Sequence, residues 1–180
     1  TGHNAPAIKE EPIANNSNPV PVPPKEEKKQ ADDSREYADL AANTFLEEDF
    51  SQTLMGVDEG NTESRYEQAV KLYAAKQYKK ALKLLETPDK NQEQEFRYLR
   101  GYTYYHLGQY GKAEADFKAF RGYASSDRKL DAVWCEVFCL TKQLPGSRSR
   151  LDVVLKEILA NPKHPYYDRA KALEMSLLKK

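Results

Sequence analysis

Apolar residues recur every three or four positions along most of the chain from about residue 34 onward, with polar residues between them. This spacing is typical of amphipathic helices, and nowhere do β-branched residues alternate over the length of a strand. We therefore expect an all-α domain. The first helix is predicted over 34–50, with a loop over 56–61 after it. Its apolar stripe consists of Tyr37, Leu40, Ala41, Thr44 and Phe45.

Two segments, 65–86 and 97–120, repeat each other at an offset of 32 residues. Small and aromatic residues coincide in the two copies: Ala69 falls on Gly101, Leu72 on Tyr104, Tyr73 on Tyr105, Tyr78 on Tyr110 and Ala81 on Ala113. Matched residues at a fixed period indicate stacked helix hairpins. The small residues let two helices of a hairpin approach closely, and Gly108 relieves the strained backbone that ends a helix at the turn.

The second copy resembles the tetratricopeptide-repeat (TPR) family. The residues that carry the resemblance are Gly101, Tyr104, Gly108, Tyr110, Ala113 and Phe117. The first copy departs from the family pattern in two places. Lys76 stands where the turn glycine belongs, and Pro88 cuts the second helix short.

A third, degenerate copy begins at Trp134, turns at 144–146 and carries Phe138 in the place of a small residue. A final helix starting at Pro165 is predicted to cap the stack. Its inward residues are Ala170, Leu173 and Leu177. The resemblance implies a right-handed α–α superhelix over 62–180, built of about three hairpins and this capping helix.

The resemblance also implies a concave face lined by the first helix of each hairpin. Mapped onto this sequence, the lining residues are Tyr66, Val70, Tyr73, Tyr98, Tyr102, Tyr105, His106, Cys135, Cys139 and Lys142. Tyr98, Tyr102 and Tyr105 are spaced i, i+4, i+7 and so share one stripe. Tyrosine combines a large apolar area with a polar tip, which suits peptide binding. Two interpretations stay open: the rings bind a ligand, or they only pack the hairpins together.

Motifs for catalysis are missing from the sequence. The stretch 108–112 has neither the first glycine nor the final Ser or Thr of a phosphate-binding loop. Cys135, Cys139 and His106 are only three candidate metal ligands where four are needed. We predict no cofactor, no metal and no enzymatic activity. The predicted function is a protein–protein interaction module for a peptide or partner protein; the alternatives are nucleic-acid binding and a self-associating structural repeat.

Charge and proline divide the chain further. Residues 1–35 hold six of the ten prolines and no Phe, Trp or Tyr, which predicts a disordered tether. Residues 36–61 form an acidic lead-in, and 36–64 carry eight acidic and no basic side chains. Residues 65–180 carry 23 basic and 14 acidic side chains, a net charge of +9. We predict that 36–55 pack against the array, with the acids on its basic second helices, and we expect no nucleic-acid partner.

The order of tether, acidic helix, three hairpins and cap is similar to that of envelope-anchored repeat proteins common in Bacteroidetes-type bacteria. In those proteins a transmembrane helix precedes the tether. The chain itself has no run of 18 apolar residues and begins with Thr1 rather than Met. We therefore expect a cell-envelope or periplasmic location, with any membrane anchor upstream of Thr1. A cytoplasmic location is the alternative.

Overall fold

The computed structural model describes residues 1–2, 35–50, 63–87, 92–123 and 128–179. Most of the predicted tether, the predicted 56–61 loop and Pro88 lie outside these ranges. The described residues form eight helices: α1 (35–44), α2 (Arg65–Ala74), α3 (Tyr78–Leu85), α4 (Glu93–His106), α5 (Tyr110–Tyr123), α6 (Arg128–Thr141), α7 (Arg148–Leu159) and α8 (Tyr167–Leu178).

Helices α2 to α8 pack in chain order, each against the next. The pairs α2–α3, α4–α5 and α6–α7 are the three predicted hairpins, and α8 packs on α7 as the cap. Within the described ranges there is no strand. The prediction of an all-α helical repeat solenoid is therefore confirmed.

The turns of the first two hairpins have the same geometry, 32 residues apart. Lys76 donates its backbone N–H to the Tyr73 carbonyl at 2.8 Å, and Gly108 donates to the Tyr105 carbonyl at 2.9 Å. Both residues lie in the left-handed region, with φ of 57° at Lys76 and 72° at Gly108. The first turn thus has the same backbone conformation as the second, although it lacks the glycine that would adopt this conformation without strain.

Close helix approach in the second hairpin depends on Gly101. A Cβ atom added there would lie 2.8 Å from two carbon atoms of the Phe117 ring, so α4 and α5 meet at this point with no room for a side chain. Ala69, Ala81 and Ala113 are fully buried. The predicted role of the small residues at the repeat positions is confirmed.

Helix α6 is the central helix of the domain, because every residue from Ala132 to Thr141 is buried. Phe138, at the position where the family has a small residue, is fully buried among aromatic rings. The predicted turn at 144–146 lies between α6 and α7. In the cap, the inward residues Ala170, Leu173 and Leu177 are buried as predicted.

Arginine–carboxylate pairs link several of the array helices to one another. The Arg100 guanidinium forms two 2.7 Å hydrogen bonds with the buried Asp116 carboxylate, joining α4 to α5. Arg121 on α5 pairs with Glu136 on α6 and with Glu157 on α7. We call this set, together with the Arg150–Glu114 pair, the ion-pair network.

The lead-in helix is shorter than predicted. It ends at residue 44 rather than 50, and residues 45–50 are not helical. Glu47, Glu48 and Asp49 would have placed three negative charges at the C-terminal end of a longer helix, where the helix dipole is also negative. The chain leaves the helix instead and continues across the array as an irregular segment.

Candidate peptide-binding face

Residues 44–50, which we call the docked segment, lie against the first helices of the hairpins. Two phenylalanine side chains make its main contacts, and Phe45 is the first of them. The Phe45 ring stacks on Tyr105 with centroids 4.4 Å apart and planes 5° apart. The rings of Phe138 and His106 meet it edge-on at 5.1 and 5.5 Å. Side chains from α4 and α6 therefore form a socket for this ring.

Phe50 is the second aromatic contact, and only 5% of it is exposed. Its ring lies edge-on to three tyrosines, with centroid distances of 5.4 Å to Tyr73, 6.0 Å to Tyr98 and 5.7 Å to Tyr102. This second socket combines α2 and α4. Such edge-to-face contacts add to the energy of simple apolar burial.

Between the two phenylalanines, acidic side chains accept hydrogen bonds from the array. The Tyr73 hydroxyl donates to Glu47 Oε1 at 3.3 Å, and His106 Nε2 lies 3.2 Å from the same oxygen. The Tyr98 hydroxyl donates to Glu48 Oε2 at 3.5 Å. The polar tips of the rings thus contact the carboxylates while their apolar parts hold the phenylalanines.

At its start, the segment is fixed to α6 through Thr44. The Trp134 indole N–H donates to the Thr44 backbone carbonyl at 3.0 Å. The Thr44 hydroxyl donates to the Ala41 carbonyl, and its oxygen lies 2.9 Å from that of Thr141. Thr44 therefore ends α1 and attaches that end to the third hairpin.

The tyrosine hydroxyls of this region are hydrogen-bond donors. Burial raises the pKa of Tyr73, Tyr98, Tyr102 and Tyr105 well above the ordinary tyrosine value, so all four stay protonated at neutral pH. Burial also raises the pKa of the Glu48 carboxyl. The segment therefore pays a desolvation penalty for its partly buried acid.

Residues 41–120 match the family model described as subunit 3 of the anaphase-promoting complex, or cyclosome, which is a TPR-type repeat family. The match supports a TPR family for this part of the chain. The match includes the docked segment together with the first two hairpins. Comparison with curated proteins and with solved structures gives no match. Across the described residues, the helices lack the length and apolar content of a membrane-spanning segment.

The structure brings together five of the predicted concave-face residues around the docked segment: Tyr73, Tyr98, Tyr102, Tyr105 and His106. We call these five residues the tyrosine face. The other predicted residues have different surroundings. Tyr66 packs on Phe96 at 5.4 Å, Val70 and Cys139 are fully buried, and the half-exposed Lys142 lines a small cavity beside α1.

The sequence left two interpretations of these tyrosines open, a ligand groove and packing between hairpins. In the structure the tyrosines of the face are at most 8% exposed, because the docked segment and the rings of neighbouring helices both cover them. The lead-in does pack against the array, as predicted, over its described part. The prediction put its acids on the basic second helices, but Glu47 and Glu48 contact tyrosine hydroxyls and His106 on the first helices of the hairpins.

Sequence reasoning placed Phe45 on a helix stripe and gave Phe50 no role. The available signal was composition. Phe45 and Phe50 enclose three consecutive acids in a region with few other aromatic residues. Large rings at both ends of an acidic stretch suit a surface of tyrosines, which offers ring contacts and hydroxyl donors.

The candidate metal ligands Cys135, Cys139 and His106 do not form a metal site among the described residues. Within the described residues, no group of three or more His, Cys, Asp or Glu side chains has a geometry that could hold a metal ion. Cys135 Sγ lies 3.2 Å from the Tyr102 hydroxyl oxygen. Burial raises the pKa of the Cys135 and Cys139 thiols well above the ordinary value, so both stay protonated.

Proposed function

We propose that this TPR protein is a non-enzymatic protein–protein interaction module that binds a peptide segment of a partner on the tyrosine face. One observation carries the proposal: a non-helical stretch of chain already lies across this face and inserts two aromatic rings into it. Surfaces that hold a non-helical segment in this manner have the anchor sockets and polar donors that peptide recognition requires.

The sockets are supported by contacts within the array. Tyr98 packs on Phe120 at 4.6 Å, and Tyr105 meets Tyr110 edge-on at 5.2 Å. Tyr102 is edge-on to Phe117 at 5.1 Å. Because these rings are held by neighbouring helices, binding a peptide requires little ordering of the face, which favours affinity.

The alternative of nucleic-acid binding through the basic surface receives less support. Arg97, Arg100, Arg121 and Arg150 all form ion pairs with carboxylates of the array. Arginines held in this way are less available for phosphate groups. Affinity for nucleic acid that falls steeply with salt concentration would favour this alternative.

We further propose that the module acts as a tethered adaptor at the cell envelope. The Pro-, Lys- and Glu-rich composition of residues 1–35, typical of a flexible linker, supports the tether. The location rests on the resemblance in segment order to envelope-anchored repeat proteins. A linker raises the local concentration of the module near its attachment point. Fractionation of cells that express the full-length gene product tests the location, and recovery in the cytosol alone would contradict it.

The experiment for the interaction function uses the complete chain with Phe45→Ala and Phe50→Ala, which uncovers the tyrosine face. It is titrated with peptides of acidic–aromatic, basic–aromatic and aliphatic composition. We expect at least one class to bind and to change NMR signals of Tyr73, Tyr98 and Tyr105. Absence of binding by all classes, or changes confined to α3, α5 and α7, would contradict the proposal.

A further inference from the structure

The docked segment shows what kind of partner the tyrosine face accepts. Phe45 and Phe50 occupy two separate sockets, and the four residues between them include Glu47, Glu48 and Asp49. Tyr102 touches both phenylalanines, at 6.5 and 5.7 Å, and so joins the sockets. One continuous surface therefore holds both aromatic rings and sets the spacing between them.

The polar groups around the sockets donate hydrogen bonds to carboxylates. Tyr73 and Tyr98 offer hydroxyl donors to Glu47 and Glu48. The Arg128 guanidinium lies 5.5 Å over the Tyr98 ring, and its charge acts favourably on Glu48, whereas the charge of Asp131 acts against it. A lysine in place of Glu48 would lose the hydrogen bond from Tyr98 and would face the Arg128 charge. The surroundings thus discriminate against basic peptides.

The segment is held in a way that permits release. Its contacts with the array are made mainly by side chains: among the described residues, no backbone-to-backbone hydrogen bond joins 45–50 to the array. The two tyrosine–carboxylate hydrogen bonds are long, at 3.3 and 3.5 Å. The half-buried Glu48 also opposes docking, because burial disfavours its charged form.

We infer that residues 44–50 are an internal ligand that competes with a partner peptide of the same chemistry: two aromatic residues separated by four positions, three of which carry carboxylates. This inference rests on the proposed function of the tyrosine face. The internal segment is linked to the face at an effective concentration on the order of millimolar, so a partner peptide of equal contact strength binds the wild-type chain weakly. Partner binding therefore requires displacement of the segment.

The test measures fluorescence anisotropy of a labelled peptide with the sequence of residues 43–50, NTFLEEDF, on the full-length chain. We expect the Phe45→Ala/Phe50→Ala variant to bind this peptide roughly 10- to 100-fold more tightly than wild type. Val153→Ala, which truncates an apolar side chain that is 66% exposed elsewhere on the array, is the matched control and should bind like wild type. Equal affinity of wild type and the double variant would overturn the inference.

Two altered peptides test the chemistry. A peptide with alanine in place of both phenylalanines, and one with lysine in place of the three acids, should each bind the double variant at least about tenfold more weakly. If the lysine peptide binds equally well, the acidic selectivity is wrong. If the basic or aliphatic panel peptides bind but NTFLEEDF does not, this inference fails while the proposed function stands. If no peptide binds, both fail.

Circular dichroism of each variant shows whether its helices are still folded. Should the double variant lose helicity, the single Phe45→Ala variant replaces it, since that ring is only half-buried. We then expect a smaller gain in peptide affinity, and no gain would overturn the inference. A second copy of the chain is the other occupant to test: a stable complex of wild type with the double variant that excludes the peptide would contradict a partner peptide.

Discussion

The ion-pair network and the tyrosine face hold this TPR array in different ways. The network joins helices through short, charged hydrogen bonds, such as the two 2.7 Å bonds from Arg100 to Asp116. The tyrosine face holds the docked segment through ring contacts, two long tyrosine–carboxylate hydrogen bonds and the 3.2 Å contact between His106 and Glu47. The network fixes the framework, and our inference that the segment can leave the face rests on this difference.

The largest expected effect comes from breaking the network. Asp116→Asn leaves the Arg100 guanidinium without its buried counter-charge, so we expect the free energy of unfolding to fall by about 2–4 kcal/mol. Urea unfolding measures it. Glu93→Gln, which removes the more exposed partner of Arg97, is the control and should change stability by less than about 0.5 kcal/mol. Equal effects of the two variants would contradict the role of the network.

Removing the Phe50 ring tests the second region, the tyrosine face. Phe50→Ala empties the socket formed by Tyr73, Tyr98 and Tyr102, so we expect a loss of about 2–3 kcal/mol, limited by the free energy of docking. Helicity should stay close to that of wild type, because the framework remains. Circular dichroism and urea unfolding check both statements. A loss of most helicity would mean that the segment is part of the framework.

A smaller effect is expected at the two matching turns. Gly108→Ala places a side chain at φ 72° and should lower stability by about 1 kcal/mol. Lys76→Gly removes the same strain but adds chain entropy to the unfolded state, so the net change should stay within about 0.5 kcal/mol. Thermal unfolding of both variants compares the turns. A large gain from Lys76→Gly would show that strain dominates there.

The smallest effect is a pH dependence from Glu48. Burial, Asp131 and Asp49 raise its pKa in the folded chain, while Arg128 and Tyr98 oppose the rise. The folded state therefore binds this proton more tightly than the unfolded state, and the contribution to stability falls as pH rises above about 4.5. Glu48→Gln should be more stable than wild type at pH 7 by less than about 1 kcal/mol. Stability curves against pH that run parallel for the two proteins would contradict this.

Much of the framework could be predicted from the sequence because repeat geometry is local. Gly101 is needed where the Phe117 ring approaches, and the turn at Gly108 follows from its backbone freedom. Such requirements appear as residue types at fixed spacing. The inward residues of α8 follow in the same way from helical periodicity.

Occupation of the tyrosine face could not be predicted in the same way. Phe45 continues the apolar stripe of α1, so periodicity assigns it to a helix, yet its ring stacks on Tyr105 from a non-helical stretch. That contact joins residues 60 positions apart in the chain, and no local pattern encodes it. The sequence alone likewise does not tell whether the buried tyrosines pack the hairpins together or bind a ligand, because a tyrosine ring is suited to both roles.

The single tryptophan offers the most direct measurement of the docked segment. Its indole N–H donates to the Thr44 carbonyl, so its NMR shift and its solvent exchange report whether the segment is in place. In wild type we expect a protected indole proton, and in the Phe45→Ala/Phe50→Ala variant a shifted resonance with faster exchange and little change in helicity. An indole signal that is identical in the two proteins would contradict the docking of residues 44–50 on the array.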